Sequence, residues 1–399
     1  MTYQQNVHAK NKGVYGKKLF ITIATMLLTF CMALHPHVVN ASSLSFSDYQ
    51  KNVQAQLRQN RQFQSADKEA EVIWNSPQEW QPKVPPVDGI KKGILLVHGL
   101  GDSPFSFTDV AQKLADEGFL VRTVLLPGHG TRPEDLLDVK LEDWRKILET
   151  QAQTLKNDVD EVYLGGFSTG ANLVIEYAYA HPEVAGLMLF SPGFRSDSWF
   201  DFLAPVLAWF KPWILSPESG RPMQNSVRYL TAPTNGFAQY YYSSKAAQKV
   251  LKRKPYNKPV FMVVTQHDSV LDTGYLLDIF QRRFTNPKSR LIWYGNAPEG
   301  LTDTARVFVK TDYLPAFKIS QFSHMGMLFS PENKIYGVEG SLRFCWNGQT
   351  TEATEQCKNG APIWYSAWGY REEGKVHARL TFNPYFQWQS SIMQGVFED

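Results

Sequence analysis

The feature that most constrains this chain is a rhythm beginning at residue 92, in which short apolar runs alternate with segments of helical spacing. Runs at 93–97, 119–125, 161–164, 186–190, 259–265 and 290–294 read as buried strands. Residues 109–117, 141–155 and 171–180 read as helices between them. In the second of these, Leu141, Trp144, Ile147, Leu148 and Leu155 fall on one face. Alternation at this spacing predicts βαβ units: an α/β fold with a mostly parallel central sheet and helices on both faces. The last core strand is expected at 290–294. Asn383-Pro384 reads as an N-cap followed by proline at the first helical position, opening a closing helix.

The rhythm breaks twice. After Ser191-Pro192-Gly193 an aromatic- and proline-rich stretch runs to residue 258, and an insertion between two core strands is the simplest account. Residues 297–382 form an elaboration whose shape the sequence does not give. The expected organisation is a signal peptide over 1–41 and a helical lead-in over 42–90. The first half of the core follows over 91–193, a cap or lid over 194–258, and the second half of the core over 259–330. A C-terminal elaboration with its closing helix occupies 331–399.

The first 41 residues hold four lysines, no arginine and no acid, which leaves 37 basic and 38 acidic residues for the rest. That balance carries no electrostatic footprint for nucleic acid. Lys10, Lys12, Lys17 and Lys18 precede an uncharged apolar run over 19–34, and a small residue, Ala41, closes the polar stretch behind it. Basic, apolar and small-residue regions in that order predict export to the periplasm or beyond with the segment removed. An anchor formed by residues 19–34 is the alternative, although the run is short for about 30 Å of hydrocarbon. Removal would leave Cys345 and Cys357, which suit one disulfide in an oxidising compartment; two free thiols are the other reading. No residues show metal-ligand spacing.

The chemistry concentrates at Gly166-Phe167-Ser168-Thr169-Gly170, directly between a predicted strand and a predicted helix. A turn that sharp presses its outer residues together, so glycine is favoured there, and it pushes the serine hydroxyl out at the carboxyl end of the sheet. A serine hydroxyl needs a base, and the base needs an acid to hold it. His324, in a loop-like Ser-His-Met-Gly segment, is the expected base. His377 lies in a stretch that alternates like an exposed strand and reads as structural. Asp268, at the end of a buried strand, is the expected acid, with Asp272 the alternative. The backbone amides of Thr169 and Leu100 are expected to form an oxyanion hole, since the glycines flanking Leu100 let that loop approach substrate closely.

These segments resemble the α/β-hydrolase superfamily, and within it the bacterial carboxylesterases and monoacylglycerol lipases. The resemblance rests on Val97-His98-Gly99-Leu100-Gly101, Leu126-Pro127-Gly128-His129-Gly130-Thr131, Asp143-Trp144 and the 166–170 motif, in matching order and spacing. It implies an α/β-hydrolase fold, a Ser168–Asp268–His324 triad, a cap between core strands and no cofactor. Two departures stand out. Nearly 30 residues separate Tyr294 from His324, and roughly 55 more precede the closing helix.

Aromatic cap residues, Trp199, Phe202 and Trp209 among them, are expected to hold the acyl part of a small-molecule or lipid ester. Transient contact with a membrane surface fits the same residues. An aminopeptidase or acyltransferase on this scaffold is a rival reading; a peptidase would need acids such as Asp197, Asp201 or Glu218 for the substrate amine. A non-catalytic binding protein is the rival from another class.

Overall fold

The computed structural model describes residues 45–398, apart from residues 199, 215, 216 and 218–221. The expected signal segment lies outside the described residues. The lead-in folds as α1 (Phe46–Asn60) and α2 (Lys68–Asn75), each capped at its start by a side chain, Ser45 and Asp67. There follow β1 (Glu79–Trp80), β2 (Lys92–Val97), α3 (Thr108–Asp116), β3 (Phe119–Val124), α4 (Leu141–Lys156), β4 (Glu161–Phe167), α5 (Thr169–Ala180) and β5 (Gly186–Phe190).

The insertion contains a short helix, α6 (Ala204–Phe210), and a long one, α7 (Thr234–Arg253). The long helix packs on α5, where Asn172 Nδ2 donates to Ser243 Oγ at 3.0 Å. The chain then re-enters the sheet through β6 (Val260–Thr265), α8 (Thr273–Arg283), β7 (Arg290–Tyr294) and β8 (Val307–Lys310). It closes with α9 (Thr351–Lys358), β9 (Ile363–Ser366), β10 (Val376–Arg379) and α10 (Phe386–Phe397).

The large sheet runs β1-β3-β2-β4-β5-β6-β7-β8, and every pairing is parallel except β1 with β3. This is the mostly parallel sheet of an α/β-hydrolase. Strand β2 shows why the sequence dictates it. Leu95 and Val97 enter the apolar layer on one face, Ile94 and Leu96 the layer on the other, and all four are fully buried. A strand covered on both sides must be apolar throughout. Register then aligns the strand ends: Val97 pairs with Gly166 and Phe167 with Phe190, which sets the loop after β2 beside the turn after β4.

The structure differs from the sequence expectation in three places. The last core strand is β8 rather than β7. Its four residues sit at the sheet edge with Val307 buried and Val309 exposed, too short a pattern to read as a strand. His324 therefore follows the last strand by a single loop. The closing helix begins at Phe386, because Asn383 turns inward: its Nδ2 donates to Tyr294 Oη at 3.0 Å and its Oδ1 accepts from Tyr385 N–H. His377 is buried rather than exposed, on β10, which pairs in parallel with β9 in a small second sheet. The elaboration around that sheet carries a Cys345–Cys357 disulfide with Cα atoms 5.6 Å apart.

Candidate active site

Strand β4 ends at Phe167 and α5 begins at Thr169, leaving Ser168 alone at the bend. Its φ of 53° and ψ of −115° are rarely adopted by a residue with a side chain. The turn has no spare room. A Cβ on Gly166 would lie 2.4 Å from Ala171 N, and one on Gly170 would lie 2.0 Å from Val97 O. Glycine at both positions is thus a steric requirement. Ser168 lines a cavity of about 820 Å³.

His324 lines the same cavity, its ring 5.0 Å from the ring of Phe167, the residue before the serine. Its Nδ1 meets Asp268 Oδ2 at 2.6 Å. The other oxygen of Asp268 accepts from Val270 N–H at 2.9 Å and Leu271 N–H at 3.2 Å, and the carboxylate is wholly buried. Both oxygens are therefore fixed, one by backbone and one by the imidazole. Asp272, the alternative acid, instead caps α8: its Oδ1 accepts from Tyr275 N–H, and its other oxygen faces Arg195.

The two residues before His324 are both pinned. Ser323 Oγ donates to Leu380 O at 2.6 Å, and Phe322 N–H donates to Asp312 Oδ2 at 3.1 Å. That aspartate also receives His267 Nδ1 at 2.6 Å, a second imidazole–carboxylate pair behind the first. No local pattern announces this pair, because residues 267 and 312 meet only across strands β6 and β8.

Leu100 and Thr169 both line the cavity next to Ser168. The N–H of Thr169 opens α5, so no helical carbonyl lies behind it to accept. The Leu100 loop comes so close that a Cβ on Gly99 would lie 3.2 Å from Ser168 Cβ.

Two buried histidines shape that loop. Gly101 N–H donates to His129 Nε2 and Leu126 N–H to His98 Nε2, each at 3.0 Å. Both Nε2 atoms must then be unprotonated, and the Nδ1–H groups donate to carbonyls, His98 to Gly99 O at 2.8 Å. Burial drives both pKa values down, that of His129 to about 4. With folded values below the unfolded value near 6.5, the unfolded chain binds protons first as pH falls. Stability is then complete above pH 6.5 and declines towards pH 4, by on the order of 3 kcal/mol for His129 alone. Urea midpoints measured from pH 7 to 4.5 should show this decline, and His129→Gln should flatten it. An unchanged slope in the variant would refute the assignment.

The cap residues need correction. Phe202 and Trp209 do not line the cavity; Phe200, Leu203, Ala204 and Leu207 do. Helical spacing explains the exchange: residues 203, 204 and 207 face inward, while 202, 206, 209 and 210 form the opposite stripe, Trp209 being 86 % exposed. Trp199 and Glu218 lie outside the described residues. Sequence reasoning also missed Asp102 and Arg228, which line the cavity and meet at 3.2 Å. Burial pushes the Asp102 carboxyl up and the nearby guanidinium opposes it.

A sequence model of the serine aminopeptidase S33 family matches residues 88–297, just over half of the chain. The chain belongs to that family. Among curated relatives, the S33 protein is 33 % identical to a thermostable monoacylglycerol lipase of Bacillus sp. (strain H-257) over 96 residues. That alignment spans 24 % of this chain and 38 % of the lipase. The S33 protein is also 23 % identical to a carboxylesterase of Bacillus subtilis (strain 168) over 58 % of its own length and 94 % of that enzyme's. The first relatives are matched over only about a third of their lengths. Among solved structures, a soluble variant of Saccharomyces cerevisiae monoglyceride lipase aligns at 18 % identity and a TM-score of 0.44. That alignment covers 58 % of this chain and 86 % of the lipase.

Proposed function

We propose that this protein is a serine hydrolase that cleaves carboxylic esters through an acyl-enzyme on Ser168. The observation that carries the reading is the 2.6 Å contact of His324 with a doubly fixed Asp268, in the cavity that also holds the strained serine. In this scheme His324 Nε2 takes the Ser168 proton as Oγ attacks the ester carbonyl. The amides of Leu100 and Thr169 receive the oxyanion. Collapse expels the alcohol, which takes the proton from the imidazole. Water, deprotonated by the same imidazole, then releases the acid and restores the serine. Asp268 orients the ring and stabilises its charged form, and no cofactor takes part.

The apolar wall of Leu203, Leu207 and Phe237 suits an acyl chain, and ester cleavage is the activity named for both Bacillus relatives. The outward stripe of Phe202, Val206, Trp209 and Phe210 suits brief contact with a lipid surface. The Cys345–Cys357 bond supports export to an oxidising compartment. A second reading, aminopeptidase action, is favoured by Asp197 and Asp201, which line the cavity and could hold a substrate amine.

Treatment with a fluorophosphonate should modify wild-type protein at Ser168. Nitrophenyl esters of increasing length should be cleaved with a clear optimum, while aminoacyl nitroanilides should not. Absence of labelling under conditions that modify a known esterase would favour a binding protein, and preferential anilide cleavage would favour the peptidase.

A further inference from the structure

His324 stands at the end of a long loop, residues 311–323, which leaves β8 and returns to the cavity. A loop of that length has many conformations open to it, and a general base is useful in only one. A single carboxylate oxygen closes it. Asp312 Oδ2, near the start of the loop, accepts from Phe322 N–H, near its end, at 3.1 Å. The same oxygen meets His267 Nδ1 at 2.6 Å, and a carboxylate only accepts, so Nδ1 carries its hydrogen. His267 lies just beyond β6 and directly precedes Asp268, the partner of His324.

The contacts form a closed circuit. It runs from His324 to Asp268, along the chain to His267, across to Asp312, across to Phe322 and along the chain back to His324. Its members are set in packed surroundings. Asp312 is buried, and the fully buried ring of Phe322 lies 4.7 Å from that of Tyr294 at the end of β7. Elsewhere in the loop Leu314 and Ile319 exchange backbone hydrogen bonds of 2.9 and 3.1 Å, and Ser320 N–H donates to Tyr365 O on β9 at 2.8 Å. Those bonds hold the loop to itself and to the elaboration, whereas Asp312 ties it to the residue beside the acid. Residue 312 also lies beyond the 88–297 span matched by the family model.

We propose that Asp312 and His267 are positioning residues for the general base: Asp312 fastens the loop that carries His324 to the residue beside Asp268, so that base and acid keep one fixed relation to Ser168. The assignment rests on the ester-hydrolase reading of Ser168. Neither residue touches substrate, and the pair acts through where it sets the imidazole. Misplacing a catalytic group by about 1 Å lowers the rate of the chemical step about a hundredfold. Substrate binding to the apolar wall does not depend on that placement.

The test separates kcat from KM for a nitrophenyl ester, well below the melting temperature of each variant. Asp312→Ala should lower kcat about 30- to 100-fold and slow fluorophosphonate labelling of Ser168 by the same factor, with KM changed no more than about twofold. Asp312→Asn should recover most of the loss. Its carboxamide oxygen still accepts from Phe322 N–H, and its amide can donate to Nδ1 once the imidazole hydrogen moves to Nε2. His267 is part-exposed, so His267→Ala should fold and carries the test if Asp312→Ala does not. It keeps the Phe322 contact and should lower kcat about tenfold. A lower melting temperature with unchanged kcat and labelling rate would make the pair merely structural and overturn the proposal, as would a loss in Asp312→Asn as deep as in Asp312→Ala. Either result leaves the hydrolase reading intact. Failure of wild-type protein to cleave the ester or take the label overturns the hydrolase reading itself.

Discussion

Ser168→Ala should lower kcat for ester hydrolysis by about a million-fold while leaving affinity for uncleaved ester close to that of the wild type. In the proposed mechanism the hydroxyl oxygen is the attacking atom, and its loss leaves the His324–Asp268 pair with nothing to activate. On the same reading, substrate affinity comes instead from the apolar wall of Leu203, Leu207 and Phe237, which the substitution does not touch. The two proposed amide donors, of Leu100 and Thr169, remain, so a residual acceleration of about a thousandfold over water is expected. Stability offers a second readout at the same position. Alanine retains a side chain at a φ of 53°, so the strain persists, whereas Ser168→Gly relieves it and should be about 1 kcal/mol more stable than Ser168→Ala. Burst and steady-state kinetics give the first quantity, urea unfolding the second. A fall in kcat of less than a hundredfold would place the nucleophile elsewhere.

Arg61→Ala should cost about 3–5 kcal/mol in unfolding free energy, a large effect for a residue outside the catalytic apparatus. The guanidinium and the Glu71 carboxylate are both essentially inaccessible and meet at 2.8 Å. Arg61 also donates to the carbonyls of Gly130, Asn225 and Ser226, while Glu71 accepts from the backbone of Gln64 and Ser65. One ion pair thus ties the lead-in to the glycine–histidine loop and to the segment bearing Arg228. Removing the arginine leaves a buried carboxylate without its countercharge and takes the donor from the carbonyls of Gly130 and Asn225, while Ser226 O keeps Asn75 Nδ2 at 2.8 Å. An apolar pair, Arg61→Met with Glu71→Leu, removes the stranded charge but leaves those backbone groups unpaired, so it should recover only part of the loss. Equilibrium denaturation of the three proteins is the measurement, and a change under 1 kcal/mol for Arg61→Ala would contradict the argument.

Periodicity made the core legible: β2 through β7 lie within a few residues of the apolar runs, most of which end near glycine or proline. The turn at Ser168 was legible because sterics leave a local signature, two glycines at fixed distance from a serine. Asp268 and His324 could be proposed because the chain order of such groups is constrained by the fold. Long-range contacts were not legible. Nothing near Arg61 announces Gly130, and nothing near Arg228 announces Asp102 or Phe344, since each meeting depends on how distant loops stack. The inward face of the cap was missed for another reason. The segment is apolar on both stripes of α6, so composition could not tell the side facing the cavity from the side facing solvent.

The large sheet finishes in very short strands at each margin. On one side β1 offers two residues, with Glu79 bound to Arg122 at 2.6 Å; on the other β8 offers four, ending in Lys310. Neighbouring copies seeking to zip main chain against main chain would find too little open ladder to grip, and charged groups at both ends. A protein with this architecture is thereby guarded against stacking into fibres, even though its interior strands are among the most apolar stretches it has.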